Sequence, residues 1–145
     1  MEVREKHLVY RAGLVPYIVE QDGTIKMMFM SPSNYEFGGT EFQLAKGKVE
    51  DDDETFYDAA IREAKEELGL FIGNIIKTEE VGNFMGRTMV YISKVKSKEM
   101  FGEPSFETAA TKWMTLEEFM QEGRILHQPV VQACHRRILQ MERED

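Results

Sequence analysis

Residues Arg62-Glu63-Ala64-Lys65-Glu66-Glu67-Leu68-Gly69-Leu70 limit what this chain can become more than any other stretch. The run predicts a helix that stops at Gly69, because glycine after a series of helix formers readily takes the left-handed conformation that ends a helix. Glu63, Glu66 and Glu67 stand at i, i+3 and i+4, so they share one helical face. Like charges stacked on one face repel, and the helix itself gains nothing from them. A hard divalent cation reverses the sign of that interaction, since Mg²⁺ seeks clustered oxygen ligands. Tyr57, Ala60, Ile61, Ala64 and Leu68 recur beside this face at helical spacing. The expected helix therefore packs on a sheet through one side and presents three carboxylates to a cleft through the next.

Upstream lies Gly47-Lys48-Val49-Glu50-Asp51-Asp52-Asp53-Glu54. Acidic residues here complement the dipole at the start of the helix. They lack the alternating Asp-x-Asp spacing of a calcium loop. Taken together, Gly47…Glu54…Arg62-Glu63-Ala64-x-Glu66-Glu67-x-Gly69-Leu70 resembles the Nudix box, the signature of the Nudix hydrolases. The loop carries one residue more than the family pattern between the glycine and the first glutamate. Either Glu54 is the family glutamate or Asp53 substitutes for it; the spacing to Arg62 favours Glu54.

The resemblance implies an α/β/α sandwich, with a mixed sheet between helices, and a hydrolase acting on phosphoric anhydride bonds with Mg²⁺ or Mn²⁺. It implies Glu66 and Glu67 as metal ligands and Glu63 as a ligand or general base. Glu103 and Glu107, in the late loop region, are candidates for an additional metal ligand or base. The resemblance also implies an ion pair between Arg62 and Glu54. Glu50 is a candidate outer metal contact. Lys46, Gly47 and Lys48 are candidates to meet phosphate, and so is Arg11. Tyr35 and Phe37 are candidates to stack on a base. Among substrates, a dinucleoside polyphosphate comes first, from the Lys46-Gly47 lead-in. ADP-ribose, other nucleotide sugars and oxidised nucleoside triphosphates follow. A Nudix module that senses a nucleotide without cleaving it is the rival of another class. Such modules usually lose box carboxylates, and Glu63, Glu66 and Glu67 are all present. Family members often dimerise, so a homodimer is an open expectation.

The rest of the chain reads as α+β. Residues 7–20, 24–30, 42–44, 71–76, 79–84, 88–95 and 106–114 are strand candidates. Pro16 places the first strand at an edge or a bulge. Gly47 falls in a loop, and residues 96–104 are polar and irregular. Thr115 caps a short helix, and residues 128–141 form a last one.

A length of 145 residues predicts one domain over residues 1–145, large enough for a sizeable core. With 42% apolar and 30% charged residues the chain is not of the disordered class. It has no apolar run of the ~18 residues that cross a membrane and no signal-peptide core at its start. Its single cysteine, Cys134, allows no intrachain disulfide and no cysteine metal cluster. These features together predict a cytoplasmic protein. A net charge of −8 argues against a nucleic-acid track. It is compatible with a nucleotide substrate, because bridging cations neutralise both sides.

Overall fold

The computed structural model describes residues 10–34, 36 and 39–144. The expectations for Tyr35 and Phe37, and for residues 7–9 of the first strand, lie outside the described residues.

Side-chain alternation along the first strand sets the layers. In β1 (Arg11–Val19), Ala12 and Leu14 face one way and Val15 and Tyr17 the other. Met28 and Met30 of β2 (Ile25–Pro32) join the first set, and Met27 and Phe29 the second. The first face is covered by α1 (Phe56–Leu68) through Phe56, Ala59, Ala60, Ala64 and Leu68. The second is covered by α2 (Leu116–Glu122) and α3 (Gln128–Glu144), through Phe119, Val131, Cys134 and Ile138. The remaining strands are β3 (Ala45–Lys48), β4 (Ile75–Phe84), β5 (Thr88–Val95) and β6 (Thr108–Met114). The main path through the sheet is β4-β5-β1-β2-β6, with β3 paired to β1. β1 and β5 are parallel and the other pairs antiparallel. The fold is α+β, a mixed sheet between helices, as the sequence predicts.

Pro16 is not at an edge, because β1 is central. On one side β1 pairs with β3 up to Leu14↔Ala45, and with β2 from Tyr17↔Met27 onward. Val15 and Pro16 fall between the two partners, where a missing N–H costs the antiparallel ladder nothing. Gly47 lies within β3, not in a loop, and residues 42–43 form only isolated bridges. The strand expected over 71–76 is a 3-10 turn, Ile72–Asn74, followed by β4. Asn74 explains the turn. It is fully buried, donates to the carbonyls of Ser97 (2.9 Å) and Met100 (3.1 Å), and accepts from the amides of Lys96 (3.0 Å) and Ser97 (3.1 Å). Its side chain knits a loop where a strand would use backbone groups.

The segment 96–107 is irregular, as expected, but it also clamps the carboxyl end of α1. The amide of Gly102 donates to the Gly69 carbonyl (2.7 Å), that of Ser105 to Glu66 (2.6 Å), and the Thr108 hydroxyl to Glu67 (2.9 Å). Two of these groups fill orphan carbonyls of the last helical turn. Gly69 has φ 78°, and a Cβ there would overlap the Gly102 carbonyl. Gly69→Ala should therefore cost about 2 kcal/mol or more, from left-handed strain plus displacement of the clamp. Gly23→Ala, with φ 89° and open space around it, carries only the strain. Thermal unfolding of the two variants checks this; equal losses would mean that the clamp yields freely.

Candidate active site

Arg62 lies midway along α1 and draws separate pieces of chain together. Nε and Nη2 donate to the two Asp53 carboxylate oxygens (3.2 and 2.8 Å), a bidentate pair. Nη2 also donates to the Lys48 carbonyl (2.9 Å) and Nη1 to Glu63 Oε2 (2.7 Å). Glu50 and Glu66 each approach Nη1 at 3.8 Å. Hydrogen bonding to Asp53 is the main reason the guanidinium binds its proton even more tightly than usual. Asp53 also closes a turn, accepting from the Glu50 amide (2.7 Å) and donating its own amide to the Glu50 carbonyl (3.0 Å). Thr55 then caps α1 by accepting from the Asp58 amide (3.0 Å).

The three glutamates of α1 have different surroundings. Glu63 is 8% exposed and lies beneath Gly47, where a Cβ would overlap its carboxylate. Burial first, and Glu66 next, hold the Glu63 carboxyl above its ordinary value. Glu67 accepts the Lys46 amide (3.0 Å). Burial and then the Glu63 charge push it up to about 8, with Glu107 adding to the repulsion. Glu66 is half exposed. Among the described residues no three histidine, cysteine or acidic side chains form a ready-made metal cage. Glu63 turns to Arg62 and Glu67 to the Lys46 amide, as mutually repelling carboxylates do. The donor set nevertheless fits a hard divalent cation: all oxygen, anionic and partly desolvated.

Strand alternation in β3 separates two sets of side chains. Ala45 packs against α1 and Gly47 meets Glu63, whereas Leu44 packs on the α2–α3 side. The Lys46 side chain follows Leu44. It lines a cleft of about 260 Å³ with Arg11, Met85, Thr88, Arg124, Leu126 and His127. Burial, then Arg11 and Arg124, hold the Lys46 ammonium below its ordinary value. An acidic protein thus gathers three cationic side chains beside its carboxylate cluster. The Lys46 backbone touches one site and its side chain the other.

A model of the NUDIX domain matches residues 10–134. The chain belongs to the Nudix family. Its fold is shared by an Ap4A hydrolase of C. elegans, solved as a binary complex, with 21% identity over 90% of this chain and 98% of that one (TM-score 0.70). RenU, a Nudix hydrolase of M. smegmatis, is 17% identical over 90% and 88% (TM-score 0.70). The NUDIX domain of Shewanella oneidensis NrtR, complexed with ADP ribose, is 16% identical over 90% and 88% (TM-score 0.69). No curated protein matches in sequence. The family match makes the chain a Nudix hydrolase, acting on phosphoric anhydride bonds.

The Nudix box is read here in a different register from the one its spacing favours. Arg62 pairs with Asp53, not Glu54, which is exposed. The turn closed between Glu50 and Asp53 aims Asp53 inward and leaves its neighbour outside. Lys48 meets Arg62 through its carbonyl, and its side chain is exposed. Glu50 is exposed as well, near Arg62. Glu107 lies within electrostatic reach of Glu67, while Glu103 is exposed. Arg124 and His127 carry no signal in the sequence: they come from the connection between α2 and α3, and only packing brings them to Lys46.

Asp53→Ala should cost about 3 kcal/mol, because it leaves a largely buried guanidinium short of its partner. Glu54→Ala should stay within about 0.5 kcal/mol, as surface changes do. Urea unfolding of both variants checks the register. A second test uses the Glu67 carboxyl, whose proton is held up to about pH 8 in the folded state and released near 4.5 in the unfolded chain. Between those values the folded state binds more protons, so metal-free stability should fall as pH rises. Glu67→Gln should flatten that slope, measured as denaturation midpoints between pH 5 and pH 8; an unchanged slope would contradict the assignment.

Proposed function

We propose that this Nudix hydrolase is a divalent-metal-dependent pyrophosphohydrolase of nucleoside diphosphates linked to a further moiety, with dinucleoside polyphosphates as the foremost substrates. The observation that carries this reading is the crowding of Glu63 and Glu67, whose carboxyls are both driven toward their protonated forms by burial and by neighbouring glutamates. Such a site favours a bound cation over two carboxylate charges crowded together.

Glu66 and Glu67 would hold Mg²⁺ or Mn²⁺, with Glu63 as a further ligand or as the general base. The ion supplies charge neutralisation at the diphosphate and a water of lowered pKa. The chain's own groups position everything else. Arg62 orients Glu63, and the Lys46 amide orients Glu67. Gly47 leaves the Glu63 carboxylate the place that a Cβ at position 47 would take. Arg11 and Lys46 attract the phosphates, which matters because phosphoryl transfer asks mainly for positioning and electrostatic stabilisation. Glu63 or Glu107 takes the proton of the attacking water. The shared fold with the Ap4A hydrolase and the cationic cleft beside the carboxylates support the preference for polyphosphate chains.

Hydrolysis of diadenosine tetraphosphate should require added Mg²⁺ or Mn²⁺ and stop on chelation. Glu66→Gln and Glu67→Gln should each lower kcat by roughly 10²-fold or more, about 2.7 kcal/mol on the barrier, while the metal-free protein stays folded. Product chromatography and circular dichroism check both parts. Near-parental rates in both variants would reduce the three glutamates to a solvated face.

A further inference from the structure

The neutral imidazole of His127 has a tautomer fixed by its surroundings. The Leu44 amide donates to Nδ1 at 3.1 Å. Nδ1 is therefore the acceptor, and the ring proton sits on Nε2. Burial, then the nearby Lys46 and Arg124 charges, push the ring's pKa down to about 3, so a second proton is excluded at neutral pH.

Nε2 lies 3.5 Å from Arg124 Nη1. A guanidinium has no acceptor, so the contact sets two donors side by side. His127 is fully buried, and with this tautomer the Arg124 contact gives Nε2–H no acceptor. Arg124 is held in place by Nη1 donating to Gln43 Oε1 at 2.9 Å, and Gln43 is itself buried. Both groups line the cleft that also contains Arg11 and Lys46. A buried N–H facing a guanidinium costs free energy unless an acceptor is shared between them. A phosphoryl oxygen meets that requirement, since it accepts from an imidazole N–H and a guanidinium together. A neutral sugar hydroxyl leaves the charge of the cluster uncompensated.

We infer that His127 Nε2–H and Arg124, with Arg11 and Lys46, form an anion subsite across β3 from the glutamates, and that it reads a phosphoryl group of the substrate lying outside the cleaved anhydride. The inference rests on the proposed pyrophosphohydrolase reading and narrows it. Substrates with three or more consecutive phosphates occupy both sites, while nucleotide sugars occupy one.

The test separates this subsite from catalysis by using inorganic tripolyphosphate in the presence of chelator. In protein with His7→Gln and His135→Gln, the imidazole ¹⁵N spectrum should show His127 protonated on Nε2, and tripolyphosphate should shift that resonance. Calorimetry should find binding weakened at least 10-fold in Arg124→Gln, about 1.4 kcal/mol, partly restored in Arg124→Lys, and as tight or tighter in Glu67→Gln. In metal-containing assays Arg124→Gln should lower the kcat/KM ratio of diadenosine tetraphosphate to ADP-ribose. A proton on Nδ1, an unmoved resonance, equal binding by Arg124→Gln, or an unchanged ratio would overturn the subsite. Tripolyphosphate binding in a protein that cleaves neither nucleotide would sink the hydrolase reading and leave the subsite standing.

Discussion

The Arg62 guanidinium is the joint on which the site depends. Asp53 grips it in a bidentate pair, the Lys48 carbonyl accepts from its edge, and Glu63 takes its remaining face. One side chain thereby fixes the loop before α1, the end of β3 and a glutamate of the candidate metal cluster. The interaction is strong because it is largely dry: the Asp53 side chain is 8% exposed and that of Arg62 25%. A pair this desolvated gains less than its Coulomb energy suggests, but removing one partner strands the other charge. Its main effect is positional. It holds Gly47 against Glu63 so closely that no side chain fits between them.

Around that joint the protein divides positive and negative charge across a single short strand. Glu63, Glu66 and Glu67 lie on the α1 side of β3, and Arg11, Lys46, Arg124 and His127 on the α2–α3 side. The two groups are close enough to shift one another: Glu67 and Glu63 partly restore the Lys46 charge that Arg11 and Arg124 disfavour. Each group is frustrated by itself, one wanting a cation and the other an anion. On the proposed reading, a polyphosphate with its metal ion is the ligand that relieves both. Substrate binding energy can thus come from repulsion already present in the folded chain. The segment 96–107 and Thr108 hold the last turn of α1 against that repulsion.

How much of this was legible in advance follows from whether a residue's role is local or distant. The α1 carboxylates were, because spacing within a helix fixes which side chains share a face. The start of α2 was, because Thr115 and Glu118 satisfy each other's backbone within one turn. β5 was, since a buried strand with a short turn before it leaves few alternatives. The pairing of Arg62 was misread by one residue, because counting along the chain does not show which way a turn points its side chains. The position of Pro16 was misread for a related reason: propensity disfavours proline in a central strand, and only the handover from β3 to β2 removes the penalty.

The sequence by itself determined the layers, the acidic helix face, its glycine stop and the Nudix resemblance. The first three rest on short-range periodicity and steric preference, which a linear pattern records; the fourth rests on the match of Gly47 to Leu70 to a known motif. Tertiary structure alone decided the partner of Arg62, the burial that drives Glu67 up to about 8, and the meeting of Arg124 and His127 with Lys46. These depend on desolvation and on contacts between residues about 80 positions apart, as between Leu44 and His127. A pattern of neighbours carries no record of them, because the free energy of a buried charge or donor is set by what surrounds it in space.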